Sequence, residues 1–386
     1  MKIALMLAGQ GTKISEEVKE AWLKNKQTLK WIEQAETQLQ EPIREWFCSD
    51  LSQDTRKAQL ATYVGSMCMY QLYREHVGLY PSIVLGHSLG EITALTIAGA
   101  LSYSEGLKLV DVRGTAMKKA IDTQESTGMT AVFASPEKVE SWLSDRQDIY
   151  IANYNSSKQT VIAGKKADLQ DFVKQNKVES VPLGVSGAFH THYMQAAADE
   201  VYDQLNSFSF NPYWSTEVIS NEFARPYQPS NVQKGISSQM VNPVCWTQSV
   251  DYAVKQGIQV FIDLSPNGMF VKMLGNQVQV HALHNEEQLT KLSNELKDDI
   301  EVNKHYSVFS RALGIIVSTK NNNEDPEAYE NIVISGYNQI KSQIGKEATA
   351  EDVEKTLSLL ELILRTKKVP EEQIMHYRNK LAWKAG

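Results

Sequence analysis

Cysteine is scarce in this chain: Cys48, Cys68 and Cys245 stand far apart among 386 residues. An odd, scattered set of three excludes a disulfide framework and a cysteine metal cluster, and it suits a reducing cytoplasm. Positive charge is in deficit too, with 39 Lys and Arg against 46 Asp and Glu and a formal charge of −7. That balance argues against nucleic acid as a partner. No stretch approaches the ~20 apolar residues that span a bilayer, so no membrane is expected. Residues 1–8 come nearest to a signal peptide, but the apolar run is one strand long. It leads straight into Gly9-Gln10-Gly11 and a polar helix, and it reads as the first central strand.

What is present is a globular balance, 42% apolar and 22% charged, over a length that allows one large domain and one or two smaller ones. The most informative stretch is Gly86-His87-Ser88-Leu89-Gly90-Glu91. Ile83-Val84-Leu85 before it reads as a buried strand, and residues 92–98 after it as a helix. A serine between small residues at a strand-to-helix turn is the physical recipe for a nucleophile elbow. The following helix aims unpaired N–H groups at the same spot, where a developing oxyanion would be stabilised. Acyl transfer through an ester on Ser88 is the leading reading; an ordinary tight turn, with serine chosen for size and capping, is its rival.

A serine hydroxyl needs a base within hydrogen-bond reach. Of eight histidines, His190 sits in a small-residue turn that can deliver a side chain to a cleft. His192, two residues on, is the nearest alternative and reads otherwise as a stacking or surface residue. His87 lies inside the elbow, where adjacency points its ring away from Ser88. His281 and His284 share an i,i+3 spacing on an expected strand with no acidic or cysteine cluster beside them, so no metal is expected.

Periodicity gives an α/β order: strand 3–8, helix 16–39, helix 58–73, strand 83–85, helix 92–98 and helix 104–120. Residues 129–134, 136–143, 149–153, 160–163, 166–175 and 178–183 then read β-α-β-β-α-β, the ferredoxin-like signature. The core resumes with a helix after Tyr193 and strands at 260–264 and 278–283. A polar linker at 319–326 precedes helices at 327–343, 349–366 and 370–382. The expected domains are 1–123 with 190–318, the insertion 124–189, and a helical extension 319–386. That extension reads either as an appendage packed on its own core or on the catalytic domain, or as a docking surface.

Taken in order, these motifs resemble the malonyl-CoA:acyl carrier protein transacylase family over about residues 3–290. The pieces are Gly9-Gln10-Gly11, Gln59, the elbow, Arg113-Gly114 with Met117, Asn153-Tyr154-Asn155-Ser156, Val161-Ile162-Ala163-Gly164, Ser186-Gly187-Ala188-Phe189-His190, and Gln239-Met240 with Pro243-Val244 and Trp246. The resemblance implies an α/β-hydrolase-like core with a parallel sheet and the inserted ferredoxin-like subdomain. It implies a Ser88–His190 dyad oriented by the Gln239 carbonyl, and an oxyanion hole from the N–H groups of Gln10 and Leu89. Arg113 would bind the free malonyl carboxylate two-pronged. Gln59, Met117, Phe189, Asn153 and Asn155 would line the substrate, with Phe189 crowding an α-methyl branch.

The mechanism implied is ping-pong. Malonyl-CoA acylates Ser88, and the phosphopantetheine thiol of an acyl carrier protein takes the acyl group off. No cofactor is expected to be permanently bound, since CoA and the carrier arm are substrates. Leu7-Ala8 before the first glycine turn, Thr12-Lys13 after it, and Ser265-Pro266-Asn267-Gly268 depart from the family pattern. With the extra helices, they suggest a free-standing acyltransferase serving a polyketide or hybrid peptide–polyketide assembly line, with polyketide synthase modules as partners; a cytoplasmic monomer is expected. The alternatives are an acyl hydrolase that clears stalled carriers, a transferase for an unusual malonyl derivative, and a silent docking scaffold.

Overall fold

Ile3–Leu7 (β1) is buried at every residue, and so is Ile83–Gly86 (β2), the pattern of strands covered on both faces. The computed structural model describes the backbone of every residue except Gln124, Ser215, Asn276, Tyr306 and Gly386. It describes the side chains of all but these and Lys304, His305, Trp383, Lys384 and Ala385. The remaining strands are Thr127–Val132 (β3), Ile149–Ser156 (β4), Gln159–Lys165 (β5), Ser180–Pro182 (β6), Glu217–Ile219 (β7), Val260–Asp263 (β8) and Val280–Ala282 (β9). One sheet has the order β7-β2-β1-β8-β9 with every pair parallel. Its core draws on Ala4, Met6, Leu85, Ile219, Trp246, Phe261 and Phe270.

The second sheet has the order β4-β5-β3-β6 and is antiparallel throughout. Helices Pro136–Leu143 and Lys166–Asn176 supply Val139, Leu169 and Phe172 to a core with Val132, Ile149 and Ile162. This is the ferredoxin-like insertion in an α/β frame. Its outer strand β4 is hydrogen-bonded to the chain at Val244, with Val244 N to Ala152 O and Tyr154 N to Val244 O both 2.9 Å. That tie fixes the far end of β4 beside the elbow.

Several elements differ from the sequence reading. The helix expected over 16–39 is two, Glu16–Lys24 and Lys26–Leu39, broken at Asn25. The Asn25 side chain accepts from Gln27 N and Thr28 N, so it serves as an N-cap where asparagine is far better placed than in a helix interior. The edge strand β7 was not foreseen, and neither were helices Val232–Ser238 and Trp246–Lys255. The helix expected over 327–343 contains a π-helical stretch at Tyr329–Ile334.

The chain divides into two units. One takes in residues 1–76, 81–210 and 216–292 and holds both sheets; the other takes in 293–386 with the short segments 77–80 and 211–215. The helical unit thus starts at Ser293, ahead of the polar stretch at 319–326. It has an apolar core of its own, built from Phe309, Ala312, Ile316, Leu357, Leu360, Ile363 and Leu364 among others. Its helix Ala350–Thr366 opens on a capping box in which Thr349 and Asp352 each satisfy the other's backbone N–H. No helix among the described residues is long and apolar enough to cross a membrane.

Candidate active site

The elbow is a crossing of backbones that only small residues permit. A Cβ on Gly86 would lie 2.0 Å from the Gly90 backbone, and one on Gly90 would lie 2.4 Å from Leu7 O. Ser88 at the apex takes φ 52°, in the left-handed region that a residue with a side chain adopts only under constraint. The constraint comes from Asn221, in the loop after β7. Its Oδ1 accepts from Ser88 N at 2.7 Å and its Nδ2 donates to Gly86 O at 2.6 Å. Leu89 N and Gln10 N donate to no other protein group among the described residues. Both amides are thus without a partner in the chain, although Leu89 is wholly buried.

Ser88 Oγ is 2.7 Å from His190 Nε2, and His190 Nδ1 is 2.8 Å from Gln239 O. A carbonyl oxygen only accepts, so Nδ1 carries the hydrogen and Nε2 is left as acceptor for the serine hydroxyl. Burial, with the Arg113 charge next in weight, pushes the imidazole down to about 3, so it is a neutral base across the physiological range. His190 also sits at positive φ, 60°, as expected of a side chain turned sharply into a site.

Arg113, on the helix Tyr103–Asp122, is only 1% exposed. Its Nη1 donates to Gln59 Oε1 at 2.5 Å and its Nη2 to Gln239 Oε1 at 3.1 Å, while Nε is buried with no partner. Burial lowers its pKa to about 10, which leaves it cationic at neutral pH. Gln59 Nε2 donates to Thr55 Oγ1 and lies 3.3 Å from Met117 Sδ, and Thr55 Oγ1 donates to Gln10 Oε1 at 2.8 Å. A buried polar chain therefore runs from Gln10 through Thr55, Gln59 and Arg113 to Gln239.

Gln239 is the junction. Its backbone carbonyl meets His190, its Oε1 meets Arg113, and its Nε2 donates to Ser88 O at 2.8 Å and Glu91 Oε2 at 3.0 Å. Glu91 is fully buried and also accepts from Asn221 N and Tyr227 Oη. Burial raises its carboxyl to about 7.

The other expected residues fall as follows. Phe189 is buried beside His190 in the chain. Asn155 Oδ1 lies 3.0 Å from His87 Nε2, whose ring packs on Trp246. Asn153 is a buried residue of β4 bridged to Val244 by its backbone, away from the hydrogen-bonded chain through Arg113. His192 stacks with Tyr150 and Tyr193. Among the described residues no group of His, Cys, Asp and Glu is arranged to hold a metal ion. Asn221, Tyr227 and Thr55 were not singled out from sequence, and Glu91 was read only as the end of the elbow. Asn221 follows a three-residue strand and carries no periodic signal.

An elbow serine paired with a histidine, with unpaired amides beside it and a buried cation one side chain away, is the arrangement that acyl-group chemistry requires. The chain belongs to the acyl transferase domain family, which it matches over residues 9–312. It is 28% identical to a malonyl CoA-acyl carrier protein transacylase of Bacillus subtilis, over 95% of this chain and 97% of that one. It is 35% identical to the polyketide biosynthesis malonyl CoA-acyl carrier protein transacylase PksC of B. subtilis strain 168, over 57% of this chain and 77% of that protein. Among solved structures, the malonyl CoA-acyl carrier protein transacylase of Clostridium perfringens ATCC 13124 superposes with a TM-score of 0.70 at 28% identity. That match covers 79% of this chain and all of the other.

Proposed function

We propose that this protein is a malonyl-CoA:acyl carrier protein transacylase working through a malonyl ester on Ser88. The observation that carries the reading is the triple engagement of Gln239, which ties the base, the nucleophile's backbone and the buried Arg113 into one piece. A desolvated guanidinium with an unpartnered Nε calls for an anion, and a carboxylate pairs with it two-pronged. Malonyl supplies that carboxylate and acetyl does not.

In the first half-reaction, Ser88 Oγ attacks the thioester carbonyl as its proton passes to His190 Nε2. The oxyanion takes the N–H groups of Gln10 and Leu89, and collapse expels the CoA thiol with the proton from His190. In the second, the carrier's phosphopantetheine thiol gives its proton to His190 and attacks the Ser88 ester. The products are malonyl-S-carrier and free Ser88. The relatives named for polyketide biosynthesis support a polyketide carrier as acceptor.

Intact-protein mass spectrometry after brief mixing with malonyl-CoA tests this. A malonyl adduct that persists in buffer and leaves only when a phosphopantetheinylated carrier is added supports transfer. An adduct that decays in buffer alone, and forms as readily from acetyl-CoA, replaces the reading with an acyl hydrolase.

A further inference from the structure

Glu91 has no part in the chemistry just proposed, yet it is wholly buried within two side chains of every reacting group. Its surroundings are built for an anion. Oε1 accepts from the Tyr227 hydroxyl, and Oε2 accepts from Asn221 N at 3.1 Å and Gln239 Nε2 at 3.0 Å. Arg113 is the cation that faces it, and Glu222 and Ser220 reach Tyr227 from the far side.

The carboxylate is not there for stability. Its folded pKa, about 7, lies above its ordinary 4.5, so the stability it contributes is fully present below 4.5 and is lost as pH rises through 7. At and above neutrality the fold bears the cost of a buried anion. A neutral residue of the same size would avoid that cost, so the charge calls for another explanation.

Gln239 supplies one. An amide side chain can sit either way round, and which way decides whether Arg113 meets an acceptor or a pair of N–H donors. A carboxylate on the other side, with the Ser88 carbonyl beside it, settles the choice, because both can only accept. It draws Gln239 Nε2 toward itself and Ser88 O, leaving Gln239 Oε1 to Arg113 Nη2. The reversed amide loses all three bonds and sets donors against the guanidinium.

We propose that Glu91 is a positioning residue: it fixes the Gln239 side chain, and through it holds Arg113 in register with the Ser88–His190 pair. Carboxylate recognition and base orientation are thereby coupled through one glutamine. The inference rests on the transacylase reading above.

Glutamine at 91 keeps the volume and can still accept from Asn221 N and Gln239 Nε2 through its oxygen, with its NH₂ turned to the Tyr227 hydroxyl oxygen, so it removes the charge alone, whereas Glu91→Leu removes both acceptors. The test is single-turnover acylation of Ser88 in the full-length protein, from malonyl-CoA and from acetyl-CoA, over about pH 5.5–8.5. In the wild type, malonyl acylation should fall as pH drops through about 7, where Glu91 takes a proton; His190, held near 3, does not titrate there.

Glu91→Leu should flatten that limb and lower malonyl acylation about tenfold, with acetyl acylation falling less, so that the malonyl:acetyl ratio drops, while Glu91→Gln should flatten the limb and keep most of the ratio. Glu91→Asp should restore the pH limb. The Glu91→Gln melting temperature at pH 8 should not lie below that of the wild type, which separates positioning from folding. A wild type that loads malonyl, beside a Glu91→Leu variant with unchanged ratio and unchanged pH limb, overturns this inference alone. A wild type that never loads malonyl overturns the transacylase reading and this inference with it.

Discussion

The two units bury different things. The helical unit closes on apolar side chains, and its buried polar residues among those described are Thr319, Thr356 and Lys367. The unit with the sheets buries Gln59, Glu91, Arg113, Asn155, His190, Asn221 and Gln239, nearly all joined in one hydrogen-bonded assembly around Ser88. An unpaired buried polar group costs about 1–3 kcal/mol, so such an assembly persists only if nearly every member is satisfied. Its conspicuous exception, Arg113 Nε, is the donor that a substrate carboxylate would take. Burial of apolar surface explains the one unit, while the other fits the bound anion and moving proton of the proposed reaction.

Substitutions can break or sharpen that contrast. Ser88→Ala has the largest expected effect. Acylation should be lost by at least about a thousandfold, read as no adduct by mass spectrometry, with no change in thermal stability. Leu360→Ala in the helical core should cost about 2–5 kcal/mol of that unit's stability, measured by denaturant unfolding, and leave the malonyl:acetyl ratio where it was. A shifted ratio would mean that the apolar unit takes part in selection and would break the comparison.

Asn221→Ala removes both bonds that hold the elbow. Acylation should slow by about ten- to a hundredfold, equally for malonyl and acetyl, in contrast to the unequal losses expected for Glu91→Leu. The smallest effect belongs to Thr349→Ala. Loss of the capping box should lower stability by about 1 kcal/mol, visible in thermal unfolding and invisible in acylation rates.

The elbow was legible in the sequence because sterics leave little choice. Glycines at 86 and 90 behind an all-apolar strand announce a crossing of backbones, and the structure has it with Cβ clearances near 2 Å. The βαββαβ insertion was legible for a similar reason, since short periodic runs separated by turns define its order.

Asn221 was not. Its strand β7 is three residues long, begins at exposed Glu217, and shows no alternation from which an edge position could be read. The break at Asn25 was hidden by apolar spacing that runs on through it, although asparagine itself was the available clue. Gln239 and Arg113 entered only through family resemblance. Their mutual contact spans 126 residues of sequence, which no local pattern encodes. The start of the helical unit at Ser293 was missed because Glu286–Glu295 and Lys297–His305 are mostly polar and gave no apolar stripe.

The most direct measurement is a competition. Wild type and Arg113→Ala are each mixed with equimolar malonyl-CoA and acetyl-CoA, and the acyl group on Ser88 is weighed by intact mass. The account predicts malonyl almost exclusively on the wild type. On Arg113→Ala the mixture should shift toward acetyl by about a hundredfold, the scale of a desolvated two-pronged charge pair. Equal loading of the two acyl groups on the wild type, or a malonyl preference that survives Arg113→Ala, would contradict it.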